Sequence, residues 1–320
     1  MGEMNRQSRR SILIAGASGV AAGLLARGGP MAVAAETSPA SHTVDRGKAK
    51  SASIKLSLAG YSYRKHLDTL GKPGEMSLFD LVDLCAELGL DAVEPTSYYF
   101  LKLDDEFIYS VKRKIFLAGL ANSGMPVRNN FALPDGPQFD NEVKQLCDWV
   151  DVAAKLGAPN MRIFAGSPSK TMSREQVFPQ VVKGIRRACE YAGTKGVFLA
   201  IEDHGYMTET AEDVIRIVEG VNHPWLGVNL DTGGFGHHAY DQIRKLAPYA
   251  VVCQFKTMCR PGEPGRPGEP ARQEHADYAR IFQILRDARY RGYVALEYEG
   301  TDAKADVPKE IRMMQAALHG

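Results

Sequence analysis

With 320 residues, 44% hydrophobic and 24% charged, the chain can bury one large core. Its 39 basic and 38 acidic side chains leave a net charge of +1, without the clustered positive charge that nucleic-acid binding requires, so a nucleic-acid partner is not expected. The five cysteines (Cys85, Cys147, Cys189, Cys253 and Cys259) form no CxxC pair and no zinc-ribbon spacing, and an odd count argues against a disulfide framework.

The first residues read as an address. Arg9-Arg10 precede an apolar, Ala/Gly-rich stretch from Ile12 to Ala26, followed by the small-x-small pattern Ala32-Val33-Ala34. This is the layout of a twin-arginine signal peptide over residues 1–35. Its apolar part is roughly 15 residues long, shorter than the ~20 that span a bilayer, so no stable membrane insertion is expected after cleavage. Residues 16–23 imitate a phosphate-binding glycine loop, but no strand precedes them and the motif lacks its context. Residues 36–53, rich in Ser, Ala, Lys and Gly, read as a flexible linker.

From Ile54 onward, short apolar runs alternate with amphipathic ones. The expected strand–helix pairs are 54–59 with 77–88, 92–94 with 104–121, 125–131 with 141–156 and 160–164 with 174–194. Four more follow: 197–201 with 211–218, 226–230 with 240–246, 251–256 with 276–288, and 294–298 with 307–318. Stop signals such as Leu156-Gly157 and Lys195-Gly196 close the helices. Eight βα units over residues 54–320 predict a single-domain α/β fold, the (β/α)₈ TIM barrel, in preference to an open doubly wound sheet. The Pro/Gly-dense stretch Cys259–Glu274 follows the seventh strand and reads either as a flexible loop or as a lid over the active-site end.

Four consecutive strand ends carry the chemistry: Glu202-Asp203-His204-Gly205, Asn229-Leu230-Asp231-Thr232-Gly233, Gln254-Phe255-Lys256 and Leu296-Glu297-Tyr298-Glu299. Alternation along a strand puts Glu202, Asp231, Gln254 and Glu297 on one face. If that face points inward, three carboxylates and an amide converge at the mouth of the barrel. Clustered buried negative charge is costly, and a divalent cation relieves it. An all-oxygen ligand set points to Mn2+ or Mg2+ rather than zinc or copper.

These motifs, together with Gly292-Tyr293-Val294-Ala295 ahead of Leu296, resemble the xylose isomerase-like TIM-barrel superfamily, most closely its sugar phosphate isomerase/epimerase group. The resemblance runs from about Ile54 to Ala317. It implies that Glu202, Asp231 and Glu297 are metal-binding carboxylates and that Gln254 stands where many relatives have His and some have Gln. It also implies that Glu94, Asn130, Arg162 and Lys256 line the substrate pocket. Relatives often carry Asn where this chain has Gly234. His204, two residues beyond Glu202, and His237, in the loop after the sixth strand, are further candidates for substrate contact. The implied activity is metal-dependent isomerisation or epimerisation of a keto sugar, with Glu202 and Glu297 passing a proton through a metal-stabilised enediolate. A lyase or hydratase acting on 3-keto-glycosides would share the first step. A non-catalytic sugar-binding barrel is disfavoured by the intact glutamates. The expected setting is periplasmic, after export by the twin-arginine machinery; a homo-oligomer is compatible with the chain.

Overall fold

The structure, a computed structural model, describes residues 43–48, 50–266 and 268–320. The twin-arginine segment and the first part of the linker lie outside the described residues. In chain order the barrel elements are β1 (Ser53–Ala59), α1 (Leu78–Glu87), β2 (Ala92–Glu94), α2 (Asp105–Leu117), β3 (Ala121–Asn122), α3 (Pro137–Leu156), β4 (Asn160–Ile163) and α4 (Arg174–Lys195). They continue with β5 (Phe198–Glu202), α5 (Ala211–Val221), β6 (Leu226–Asp231), α6 (Ala239–Leu246), β7 (Ala250–Phe255), α7 (Tyr278–Asp287), β8 (Arg291–Leu296) and α8 (Ala303–His319). All eight strands are parallel, in the order β3-β2-β1-β8-β7-β6-β5-β4. Among the described residues no helix is long and apolar enough to cross a membrane.

Local chemistry sets the helix ends as the sequence suggests. Ser77, Ser173 and Thr210 each accept from the backbone N–H three residues on while that residue's side chain reaches back to the cap, satisfying donors a helix start leaves free. Gly157 and Gly196 end α3 and α4 at φ 84° and 71°, a left-handed turn that a Cβ would strain.

The third strand departs from expectation. It is only Ala121–Asn122, and residues 125–131, where the sequence predicts a strand, form no ladder. Pro126 has no N–H to give, so regular pairing stops there. The barrel is closed instead by two bonds, from Met125 N–H to Asn160 O and from Val127 N–H to Arg162 O, both 3.1 Å. Beyond them the Asn129 amide takes over the backbone's role. It accepts from Phe164 N–H at 2.8 Å and donates to Phe164 O at 2.7 Å.

Two connections are better fastened than their composition suggests. In the linker, Val44 N–H donates to Pro248 O at 3.0 Å, and the Arg46 guanidinium donates to Ala250 O at 3.0 Å while lying over the Tyr290 ring. In the 259–274 connection, Met258–Cys259 pairs antiparallel with Glu274–His275. Ala271 N–H is bonded to Gly236 O at 2.8 Å, and Arg260 O accepts from Ala239 N–H at 3.0 Å, so the arm is tied to the loop after β6. The five cysteines are all free.

Candidate metal and substrate site

Register brings the chemistry together. Asp231 of β6 stands beside Gln254 of β7, Gln254 beside Ala295 of β8, and Glu202 of β5 beside Asn229 of β6. Glu202 and Asp231 close their strands, and Glu297 directly follows β8, anchored by its N–H to Phe255 O at 2.9 Å. The Glu202, Asp231 and Glu297 side chains are buried and offer carboxylate oxygens that all lie within 4.8 Å of one another.

Two cations answer these three acids. Arg162 Nε is 3.0 Å from Glu202 Oε2, a close ion pair in which neither atom has a hydrogen-bond partner. The guanidinium also donates to Val127 O at 3.0 Å and stacks 4.1 Å above the Phe164 ring. Lys256 Nζ lies 3.3 Å from Asp231 Oδ2, 3.2 Å from Glu297 Oε1 and 3.0 Å from Glu299 Oε1. Burial works against the Lys256 charge, but Asp231, Glu297 and Glu299 outweigh it and hold the ammonium well above its ordinary range. Burial, reinforced by Asp231 and Glu297 and opposed by Arg162 and Lys256, pushes Glu202 well above the usual carboxylate range.

A second layer braces the first. The Gln254 amide oxygen accepts from Asn229 Nδ2 at 2.8 Å, and its nitrogen donates to Glu94 Oε2 at 3.1 Å. Asp203 Oδ1 accepts from Asp231 N–H at 2.9 Å. A Cβ at Gly234 would stand 2.4 Å from Asp203 O, which gives the missing side chain at this position a local steric reason.

A family model described as xylose isomerase-like TIM barrel matches residues 82–317. The chain belongs to this family. Solved structures with the xylose isomerase-like fold include a D-psicose 3-epimerase with D-tagatose from Clostridium cellulolyticum H10, 20% identical, with 83% of this chain and 97% of that one covered at a TM-score of 0.63. An L-ribulose 3-epimerase, 15% identical, is covered over 95% of its length by 83% of this chain at a TM-score of 0.66. The probable 3-DHS dehydratase AsbF of Bacillus anthracis is 18% identical, with 83% and 99% covered at a TM-score of 0.61. Structures of the same fold carry magnesium in a Mycobacterium smegmatis protein and zinc in the IOLI protein. No curated protein matches the chain.

Not every residue proposed from this xylose isomerase-like sequence reaches the cavity. Arg162, His204 and Lys256 line it with Glu202 and Glu297. Asn130 is on the wall, but its amide is a joint: the oxygen accepts from Ala132 N–H and Ser167 N–H, and the nitrogen donates to Ser167 O. Glu94 lies behind Gln254, off the cavity wall. His237 lines neither cavity at the mouth; its ring packs edge-on against His238, which pairs with Glu263. Sequence reading passed over Asp203, Asn229, Glu299, Tyr98 and Arg128. Glu299 was recoverable, being two residues beyond Glu297 on the same alternation. Tyr98 and Arg128 carried no such signal, because one sits in a single 3₁₀ turn after β2 and the other in irregular backbone.

Glu94 gives a stability prediction. Burial first, then the Glu297 charge, lift its carboxyl from 4.5 to about 7, against Gln254, Arg162 and Lys256. A raised folded-state value favours folding fully below the unfolded value and loses that contribution as pH rises through the folded one. The swing is about 3 kcal/mol across this window. Glu94→Gln should therefore make the fall in stability of metal-free protein between about pH 4 and about pH 8 shallower by about this amount, as read by denaturant titration. Parallel profiles for the two proteins would contradict it.

Proposed function

We propose that the protein is a divalent-metal-dependent isomerase or epimerase of a keto sugar or sugar derivative, with Glu202 and Glu297 moving the proton. The observation that carries this reading is the buried trio of Glu202, Asp231 and Glu297, gathered within 4.8 Å at a barrel mouth. Oε2 of Glu297 is buried without a hydrogen bond, and Oε2 of Glu202 has only the Arg162 ion pair; such oxygens fit a cation. The donor set is oxygen only, which suits magnesium or manganese better than zinc or copper. Glu202, Asp231 and Glu297 would hold the ion, and the Gln254 oxygen would join them if it were released from Asn229. An ion there would polarise a substrate carbonyl and acidify the neighbouring C–H.

The chain's own groups do the remaining work. One of Glu202 and Glu297 takes the proton and the other returns it from the opposite face of the carbon. Lys256, on the cavity wall beside Glu297, is placed to donate to substrate oxygen once the ion takes over Asp231 and Glu297. The likeness to sugar 3-epimerases supports a carbohydrate substrate. Export by the twin-arginine route, which residues 1–35 suggest, would set the reaction in the periplasm, where sugars are mostly unphosphorylated.

The test is to strip the protein with chelator, reload it with magnesium, manganese or zinc, and incubate it with keto sugars in heavy water. Turnover only with metal, best with magnesium or manganese, and deuterium at a single carbon of an isomeric product are expected. Full activity in chelator, or no incorporation from any sugar, would overturn the reading. A product lighter by one water would move the protein to the dehydratases.

A further inference from the structure

The carboxylate trio lies on the partition between two cavities. The first, about 600 Å3, is walled by Tyr61, Tyr98, Arg128, Phe164 and Glu202 among others. The second, about 750 Å3, is walled by Asp231, Thr257, Met258, Arg260, Gln273 and His275 among others. His204, Gly205, Lys256, Glu297 and Glu299 belong to both walls. Glu202 faces only the first cavity and Asp231 only the second, so the reacting group sits where the two lobes meet.

Each lobe alone falls in the range of a complete small-ligand site, about 300–1,000 Å3. A single keto sugar over Glu297 leaves the other lobe without a task. The lobes also differ in chemistry. The first has aromatic faces in Tyr61, Tyr98 and Phe164, suited to the C–H face of a sugar ring. The second has Met258 and Tyr298 as its larger apolar surfaces and hydrogen-bonding side chains in Thr257, Arg260, Gln273 and His275. With Asp231 and Glu297 assigned to the ion, Glu299, Asp306 and Glu310 remain against Lys256 and Arg260, and ion pairs already join Lys256 to Glu299 and His275 to Glu310. Such a wall has no surplus positive charge to offer a phosphate or carboxylate and suits an uncharged, hydroxyl-rich unit.

We propose that the substrate is an uncharged glycoside of two sugar units, with the reacting keto unit in the aromatic lobe over Glu202 and Glu297 and the second unit in the lobe formed by Met258, Arg260, Gln273 and His275. The proposal rests on the sugar-transforming reading of the trio and adds to it the size and charge of the substrate. The tied 259–274 arm contributes Arg260 and Gln273 to the second lobe, so it is a wall of the binding site in the folded chain.

The experiment uses the full chain loaded with manganese. Calorimetric binding and turnover are measured for a keto monosaccharide, a disaccharide containing the same keto unit, and the phosphorylated monosaccharide. The disaccharide is expected to exceed the monosaccharide at least tenfold in kcat/KM, with the phosphorylated sugar the weakest. Gln273→Trp, at an exposed arm position, and Met258→Trp each fill the second lobe and should bring the disaccharide-to-monosaccharide ratio toward one. Equal handling of mono- and disaccharide by the parent protein, with neither Trp variant altering the ratio, overturns the proposal and leaves the sugar-transforming reading intact. Preference for the phosphorylated sugar also overturns it. Failure of every sugar to bind or turn over in the metal-loaded protein overturns the underlying reading, and this proposal with it.

Discussion

Glu297→Gln is expected to reduce turnover by on the order of 10²–10⁴-fold, the usual worth of one general acid or base, while metal and substrate still bind. The substitution keeps the side chain's size and a ligating oxygen but takes away the proton acceptor. Its surroundings tolerate the change, because Lys256 still has Asp231 and Glu299 as partners after Glu297 loses its charge. Exchange in heavy water separates the two roles. With Glu202 intact, deuterium can still enter the substrate's acidic C–H position from one face, while product with the centre inverted or the carbonyl moved disappears. Wild-type rates for both exchange and turnover would remove Glu297 from the mechanism.

Lys256→Met is expected to lower the stability of the metal-free protein by about 3–5 kcal/mol, the cost of leaving a buried carboxylate partner unpaired, or on the order of 10 °C in Tm. The ammonium is shared by Asp231 and Glu297, two of the three acids assigned to the ion. In the absence of metal it is their cation. Once it is gone, added manganese should restore the loss, since a ligand at about 100 times its Kd contributes about 2.7 kcal/mol. The variant should also bind manganese at least tenfold more tightly than the parent, because nothing has to be displaced from Asp231 and Glu297. Thermal unfolding in chelator and in excess manganese, beside a direct metal titration, reads both effects. Equal Tm values for the two proteins in chelator, with no gain from metal, would show that Lys256 does not neutralise the trio.

What the sequence could show followed from period and order. Alternating apolar runs and helix caps located the elements, and an acid or amide at the end of four successive strands located the trio with Gln254, because in a parallel barrel successive strand ends are neighbours in space. Three things were hidden. The seam at Pro126 was hidden because a run of extended residues looks like a strand until one asks where each N–H goes. The bracing of Gln254 by Asn229 and Glu94 was hidden because these residues are far apart in sequence, 160 positions for Gln254 and Glu94. The third was the position of His237. It follows β6 as a substrate-contacting histidine would, but its loop is held by the 259–274 arm, through Arg260 and Ala271, in a course that leaves the ring off the cavity walls.

The docked part of the linker has a practical meaning. Val44 and Arg46 are fastened at the start of β7 and beside the residue that leads into β8, whereas Gln254 and Glu297 stand at the far ends of these strands. A strand of this kind is roughly 17–20 Å long. Anything joined ahead of Thr43, such as a purification tag, a fusion partner or a solid support, is therefore attached at the foot of the barrel. Immobilised through that end, the catalyst would keep its mouth turned toward the solution, and the coupling chemistry would not compete with substrate for space.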